Sequence, residues 1–355
     1  MTRAGIIGLG AHIPDEVRRN DAWPPEQIAS WLQRRLAAPA PSRDGLSIGQ
    51  GRVLDAMAIQ AADPYLGTHE RRVLGPELSI LDLEERAARD ALARARLDGT
   101  TIDMLLLHSV VPDYQLANAA CALHERLGLP VACLSVQTEA TSYTSFAQLA
   151  FGEAAIVTGR ARHVLAVQSC IGSRIVERDD PSSLLLGDGA TAIVLGAVSA
   201  HRGILAATHY TEGRSVDGLI MSVPGGRWYD PGTPRAHVAN PRALYEAQLR
   251  IADTCETAVR DALVRAGHAL DEVDYLAVYQ GTPWLQRVVY EQLGITRVPP
   301  TDVFQRYGYL ASAMLPVALW TAEEDGELAQ DDLVVLVGGG TGMTYGAVVV
   351  RWGST

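Results

Sequence analysis

Apolar positions in this chain fall into short blocks that recur, in the same order, in its two halves. The heptapeptide Arg89-Asp90-Ala91-Leu92-Ala93-Arg94-Ala95 returns as Arg260-Asp261-Ala262-Leu263-Val264-Arg265-Ala266, an offset of 171 residues (260 − 89). The offset holds at the next landmark, where Asp103 precedes an apolar strand at 104–109 and Asp274 precedes another at 275–280. Helices follow and end at Leu127-Gly128 and Leu293-Gly294, since glycine accommodates the left-handed conformation of a helix stop. Each half then continues as a strand, an almost uniformly apolar helix and a closing strand pair. These cover 132–136, 140–158 and 163–195 in the first half and 298–304, 309–323 and 333–351 in the second. A helix without a polar face needs apolar neighbours on every side, so the two apolar helices are expected between two sheets. Self-similarity at one spacing predicts a duplicated α/β unit, with halves at 1–199 and 200–355 facing each other across a pseudo-twofold axis in five layers.

Composition narrows the function classes. The 355 residues are 48% hydrophobic and 20% charged, which fits a globular protein with a large core. No apolar run reaches the roughly 20 residues of a membrane span, and the N-terminal apolar stretch has no signal-peptide cleavage pattern, so a cytoplasmic protein is expected. A net charge of −11 argues against nucleic acid as a partner. An acidic carrier protein could still dock on a local patch such as Arg34, Arg35, Arg71 and Arg72, or these could be scattered solvated arginines. The four cysteines, Cys121, Cys133, Cys170 and Cys255, lack C-x-x-C spacing and read as buried thiols. The nine histidines show no metal-ligand spacing, so no metal is expected.

Several segments, taken in order, resemble the ketoacyl-acyl-carrier-protein synthase III group of the thiolase superfamily. They are Ile6-Ile7-Gly8-Leu9-Gly10 with Asn20-Asp21, Ala119-Ala120-Cys121 with Leu127-Gly128, Leu186-Gly187-Asp188-Gly189-Ala190, and Gly338-Gly339-Gly340 with Thr344-Tyr345-Gly346. The resemblance spans nearly the whole chain and implies the thiolase-like αβαβα fold. Residues 39–66 do not match and read as an insertion or loop near the tunnel mouth, as do 225–240; both are rich in Gly and Pro.

The resemblance also implies a site, and the chain departs from it. The family's cysteine nucleophile stands at a helix N-terminus, where free N–H groups and the dipole favour a thiolate and an oxyanion. Five residues beyond Ser135, that position is Ala140, preceded by Glu139. Either a cysteine has been replaced there or its loss is natural. The family's histidine position is Tyr279, followed by Gln280, and its asparagine position is Tyr309. The glycine-rich segment ending in Thr341 and Gly342 is expected to line the oxyanion site rather than to cradle phosphate. His108 is the first-half equivalent of Tyr279 (279 − 108 = 171) and reads as a structural residue facing the centre.

Trp31 with Arg35, and Arg174, fall at the spacings of the family's adenine clamp, because indole and guanidinium both stack on a purine. The alternative for Trp31 is a core residue of an amphipathic helix.

Two functions are then expected. One is a thioester-dependent acyltransferase moving an acyl group from coenzyme A or acyl carrier protein to a small acceptor in polyketide or other secondary metabolism. It would use a coenzyme A or phosphopantetheine thioester as substrate, with no tightly bound cofactor, and work as a homodimer. The other is a catalytically silent subunit paired with an active homologue.

Overall fold

The computed structural model describes residues 2–296 and 302–353. Two mixed sheets, one drawn from each half, carry the architecture. The first has the order Arg3–His12, Asp188–Val198, His163–Ile171, Met104–Ser109, Leu134–Gln137. Its last three strands run parallel, and the remaining pairings are antiparallel. The second sheet has the order Tyr275–Val278, Leu333–Gly340, Thr344–Arg351, Gly203–Thr211, with one parallel pair and two antiparallel pairs.

The helices Thr144–Val157 and Met314–Glu324 fill the space between the sheets. Phe146, Leu149, Met314 and Leu319 share one apolar cluster with Leu106, Val164 and Ile193 of the first sheet and Leu276, Val335 and Val348 of the second. Their polar residues are few because both sides face apolar sheet surfaces, and burial of such area is the main favourable term in folding. The helices Ile80–Arg94 and Ala119–Leu127 cover the outer face of the first sheet with a second cluster. Ile251–Ala266 and Leu285–Leu293 pack on the second sheet and join the larger core. Helix, sheet, helix pair, sheet and helix make the five-layer αβαβα arrangement. Gly128 and Gly294 take the left-handed C-cap, with φ of 64° and 72°.

The structure differs from expectation in several places. Both central helices begin one turn late, each preceded by a 3-10 turn at Thr141–Tyr143 or Ala311–Ala313. Thr141 and Ala311 hold positive φ, 51° and 47°, at equivalent places (311 − 141 = 170). The expected strand at 298–304 lies largely outside the described residues, and Phe304 opens the short helix Phe304–Tyr307.

The insertion at 39–66 is not mainly loop. Ser47 and Gln50 form a capping box that starts the helix Ile48–Ala62. That helix packs on the second half through Ser47 Oγ to Asp253 at 2.6 Å and Trp284 Nε1 to Gln60 at 2.8 Å. The 225–240 segment contains one arm of a two-stranded hairpin, Leu219–Ser222 with Arg235–Val238. Cys121 is exposed; the other three thiols are buried as expected. Arg71 belongs to no surface patch: it is fully buried, bonded to the Leu184 carbonyl, Thr68 Oγ1 and Asn20 Oδ1, with its guanidinium over Trp23.

Candidate active site

The residues expected at the centre meet there. Tyr279 lies just past the end of Tyr275–Val278, and Gly338 on the adjacent strand makes room for it: a β-carbon there would come 2.4 Å from Tyr279 Cβ. Tyr309 is fixed through its backbone by the 185–187 segment, its N–H donating to Leu185 O at 2.7 Å and its carbonyl accepting from Gly187 N at 3.0 Å. The phenols of Tyr279 and Tyr309 are 2.6 Å apart, and Ser142 Oγ lies 2.8 Å from the Tyr309 hydroxyl. Burial raises both phenols above the usual tyrosine range, and for Tyr279 the neighbouring phenol adds to the shift. Both therefore stay protonated at neutral pH and act as hydrogen-bond donors.

Ala140 caps the 3-10 turn, half-buried, with its N–H bonded to Thr144 Oγ1 at 2.9 Å. No nucleophilic atom stands at this position. Cys170 is near enough to Tyr279 and Tyr309 to influence them, but burial and Asp188 push its thiol far up, so it offers no substitute thiolate. Glu139 accepts from the Thr141 N–H at 2.5 Å, and Thr141 Oγ1 donates to the Thr341 carbonyl at 3.1 Å. Thr341 thus braces the turn beneath the site with its backbone oxygen.

His108, read from sequence as structural, stands in the site. Its Nε2 lies 3.3 Å from Glu139 Oε2 and its Nδ1 2.6 Å from Ser312 Oγ. An ionised carboxylate can only accept, so Nε2 donates to Glu139, while Nδ1 shares the second hydrogen bond with the Ser312 hydroxyl. His108 and Ser312 are buried, whereas 67% of the Glu139 side chain is exposed. Partial burial opposes the Glu139 charge; the His108 hydrogen bond, the imidazole's charge and the Thr141 N–H outweigh it and hold the carboxyl below the usual glutamate range. Sequence reasoning gives Ser142, Ser312 and His108 no role in the chemistry, although spacing pairs the first two with known landmarks: 312 − 142 and 309 − 139 both equal 170.

Other expected site residues lie elsewhere. Gln280 is a buried bracket whose Oε1 accepts from Val303 and Phe304 N–H, each at 3.0 Å, while Nε2 donates to Gln286. Trp31 is 3% exposed and packs with Trp23, Ile28 and Leu184, so it offers no face to a purine. The amphipathic helix Pro25–Leu36 turns it inward with Ile28. Arg35 is spent on the carbonyls of Ala61, Asp63 and Pro64, and Arg174 on those of Gly75 and Leu78. The adenine clamp expected from spacing is not formed. Among the described residues no group of three or more His, Cys, Asp or Glu is placed to hold a metal, and no helix is long and apolar enough to cross a membrane.

The family models for 3-oxoacyl-[acyl-carrier-protein] synthase III match residues 137–213, and its C-terminal part matches 263–352. A curated relative, the β-ketoacyl-[acyl-carrier-protein] synthase III of Oceanobacillus iheyensis, is 31% identical over 288 residues, 81% of this chain and 88% of its own. The chain belongs to the β-ketoacyl-[acyl-carrier-protein] synthase III family. The synthase III of Bacillus pumilus is 29% identical over 353 residues, covering 99% of each chain. The crystal structure of the Pseudomonas aeruginosa synthase III superposes with a TM-score of 0.78 at 26% identity, covering 99% of this chain and 98% of that one. Within a β-ketoacyl-[acyl-carrier-protein] synthase III fold, then, this chain carries Ala140, Tyr279 and Tyr309 where the resemblance implies cysteine, histidine and asparagine.

Proposed function

We propose that this protein transfers an acyl group from a coenzyme A or acyl-carrier-protein thioester directly to an alcohol or amine, without an acyl-enzyme intermediate. The observation that carries the reading is Glu139: an exposed carboxylate kept ionised beside the methyl of Ala140 and backed by a buried imidazole. A methyl group cannot attack a thioester, so acceleration would come from holding thioester and acceptor together and from stabilising the oxyanion. Glu139 takes the acceptor's proton, and the Ser142–Tyr309–Tyr279 chain, whose three hydroxyls spend two protons on one another, leaves one O–H to donate to the developing charge. Tyrosines at 279 and 309, where malonyl extension would call on the family's histidine and asparagine, favour another small acceptor over malonyl extension. That departure supports a place in polyketide or other secondary-metabolite biosynthesis.

We read the halves 1–199 and 200–355 as copies of one unit, and Ala140 as a natural loss, because Glu139, His108 and both tyrosines form bonded arrangements around it. A homodimer is supported by the strand Leu134–Gln137, which lies at the edge of its sheet and exposes Leu134 and Val136. The test is free-thiol release from a panel of acyl-coenzyme A and acyl-carrier-protein thioesters, with intact-mass analysis of the protein. Release that requires an added acceptor, with no mass increase, supports direct transfer. A stable adduct on the protein as it stands would overturn it.

A silent subunit pairing with an active homologue is the second reading. The burial of Trp31 favours it, because a retained cofactor clamp would have argued for activity. Absence of both binding and turnover across the panel would select it.

A further inference from the structure

The two strand ends that face the centre, at 108 and 279, are equivalent positions of the duplication, and only one carries an imidazole. We propose that His108, locked by Ser312, is a positioning residue that aims the carboxylate of Glu139, so that the two act as one base toward the acceptor. The proposal deepens the acyl-transfer reading and rests on it for its catalytic part.

Geometry supports the assignment from both sides of the ring. Ser312 lies 204 residues from His108 in sequence, sits on the 3-10 turn of the opposite half, and reaches Nδ1 at 2.6 Å. That bond fixes the ring plane and leaves Nε2 directed at Glu139, 3.3 Å away. A carboxylate on an exposed turn would otherwise sample many rotamers; one charge-assisted donor from a buried, immobile ring narrows them. The Thr141 N–H holds the other carboxylate oxygen, so both are engaged from behind while the side chain remains open on its solvent face.

In the transfer step the acceptor's O–H or N–H bond breaks and its proton passes to Glu139. The new C–O or C–N bond forms, the thioester C–S bond breaks, and the departing thiolate takes up that proton and leaves as the thiol. No oxidant or reductant is required, and His108 exchanges no atom with the substrate.

The titratable groups around the pair are mostly neutral. Tyr279, Tyr309 and Cys170 are all pushed up and hold their protons. Glu84 lies on the other side of the strand end, bonded to Ser109 and Ser169; Ser169 Oγ also reaches the His108 carbonyl at 3.4 Å, and Asp113 acts on Glu84 by charge. Glu84→Gln therefore serves as the control that removes the second carboxylate from any pH profile.

The experiment follows the Glu139 carboxyl itself in the full-length protein by carbon-13 NMR of carboxyl-labelled glutamate, assigned by its loss in Glu139→Gln. In the wild type the midpoint is expected below the ordinary glutamate value. His108→Leu is expected to raise it by about one pH unit, and His108→Gln, which keeps an N–H donor, to restore most of the difference. Thiol release from octanoyl-coenzyme A with butan-1-ol is then measured against pH. The acid limb of kcat/KM should move up with the midpoint, about tenfold lower activity on that limb in His108→Leu, with little change in KM for the thioester. A Glu139 midpoint that does not respond to His108→Leu in a folded protein overturns the proposal. A raised midpoint with no thiol release from any variant keeps the pair and overturns the acyl-transfer reading.

Discussion

Ser142 and Ser312 occupy equivalent turns of the two halves, and each hydrogen-bonds an aromatic side chain of the other half: Ser142 reaches the Tyr309 hydroxyl at 2.8 Å and Ser312 reaches His108 Nδ1 at 2.6 Å. The crossed pair ties the central turns together through side chains rather than through a shared ladder. It also explains why the site is asymmetric in chemistry while symmetric in position. One serine ends in a chain of phenols, and the other ends in an imidazole with a carboxylate beyond it.

A cysteine at position 140 should become acylated, but reluctantly. The turn and helix that begin there favour a thiolate, while the Glu139 carboxylate next to it opposes one. Intact mass after exposure of Ala140→Cys to acetyl-coenzyme A at pH 7 should show a single acetyl adduct. Adding Glu139→Gln should speed its appearance by about tenfold, the effect of roughly one pH unit in thiol ionisation. Equal rates in the two variants would mean that Glu139 does not act on that position.

Replacing Tyr279 with Phe removes one phenol from the Ser142–Tyr309–Tyr279 chain and leaves the ring packing intact. If the phenols stabilise an oxyanion, kcat should fall by about 10²-fold with KM for the thioester nearly unchanged. A lower thermal midpoint with unaltered kcat would assign Tyr279 to packing alone.

Trp31 tests how far spacing can be trusted. Because the indole is buried among Trp23, Ile28 and Leu184, Trp31→Ala should cost about 3–5 kcal/mol of stability, read by denaturant unfolding. Coenzyme A affinity in the variant that remains folded should be unchanged. A selective loss of affinity at unchanged stability would restore the clamp.

What the sequence disclosed follows the range of the interactions involved. The 171-residue offset locates the equivalent strands Met104–Ser109 and Tyr275–Val278 because strand and helix patterns are local. It also brings the 140, 279 and 309 segments to one point. The clamp reading of Trp31 fails because spacing to a family position carries no information about which face of Pro25–Leu36 is buried. Its i, i+3 relation to Ile28 does carry that information. The helix Ile48–Ala62 is hidden by Gly49, Gly51 and the prolines before it, although Ser47 and Gln50 spell its capping box. His108 can be placed by the offset but not given a role, since its partners Glu139 and Ser312 lie 31 and 204 residues away.

Glu84 gives the fold a pH dependence separate from the site. It is buried within the helix Ile80–Arg94 against the first sheet, where the hydroxyls of Ser109 and Ser169 donate to it, and burial raises its carboxyl to about 7. A folded-state value above the unfolded one means that the native protein holds the extra proton between about pH 4.5 and 7. Stability from this group is therefore fully present below pH 4.5 and is lost as pH rises toward 7. The loss is on the order of 3 kcal/mol, since each tenfold change in proton affinity is worth about 1.4 kcal/mol. Glu84→Gln keeps an acceptor for both serines and carries no charge at any pH. Its unfolding free energy should match wild type at about pH 5 and exceed it at about pH 8, by up to that amount. A wild type that is equally stable at both values, measured against Glu84→Gln in the same denaturant series, would show that the carboxylate finds water or a counter-charge on ionising, and that Ser109 and Ser169 alone do not define its surroundings.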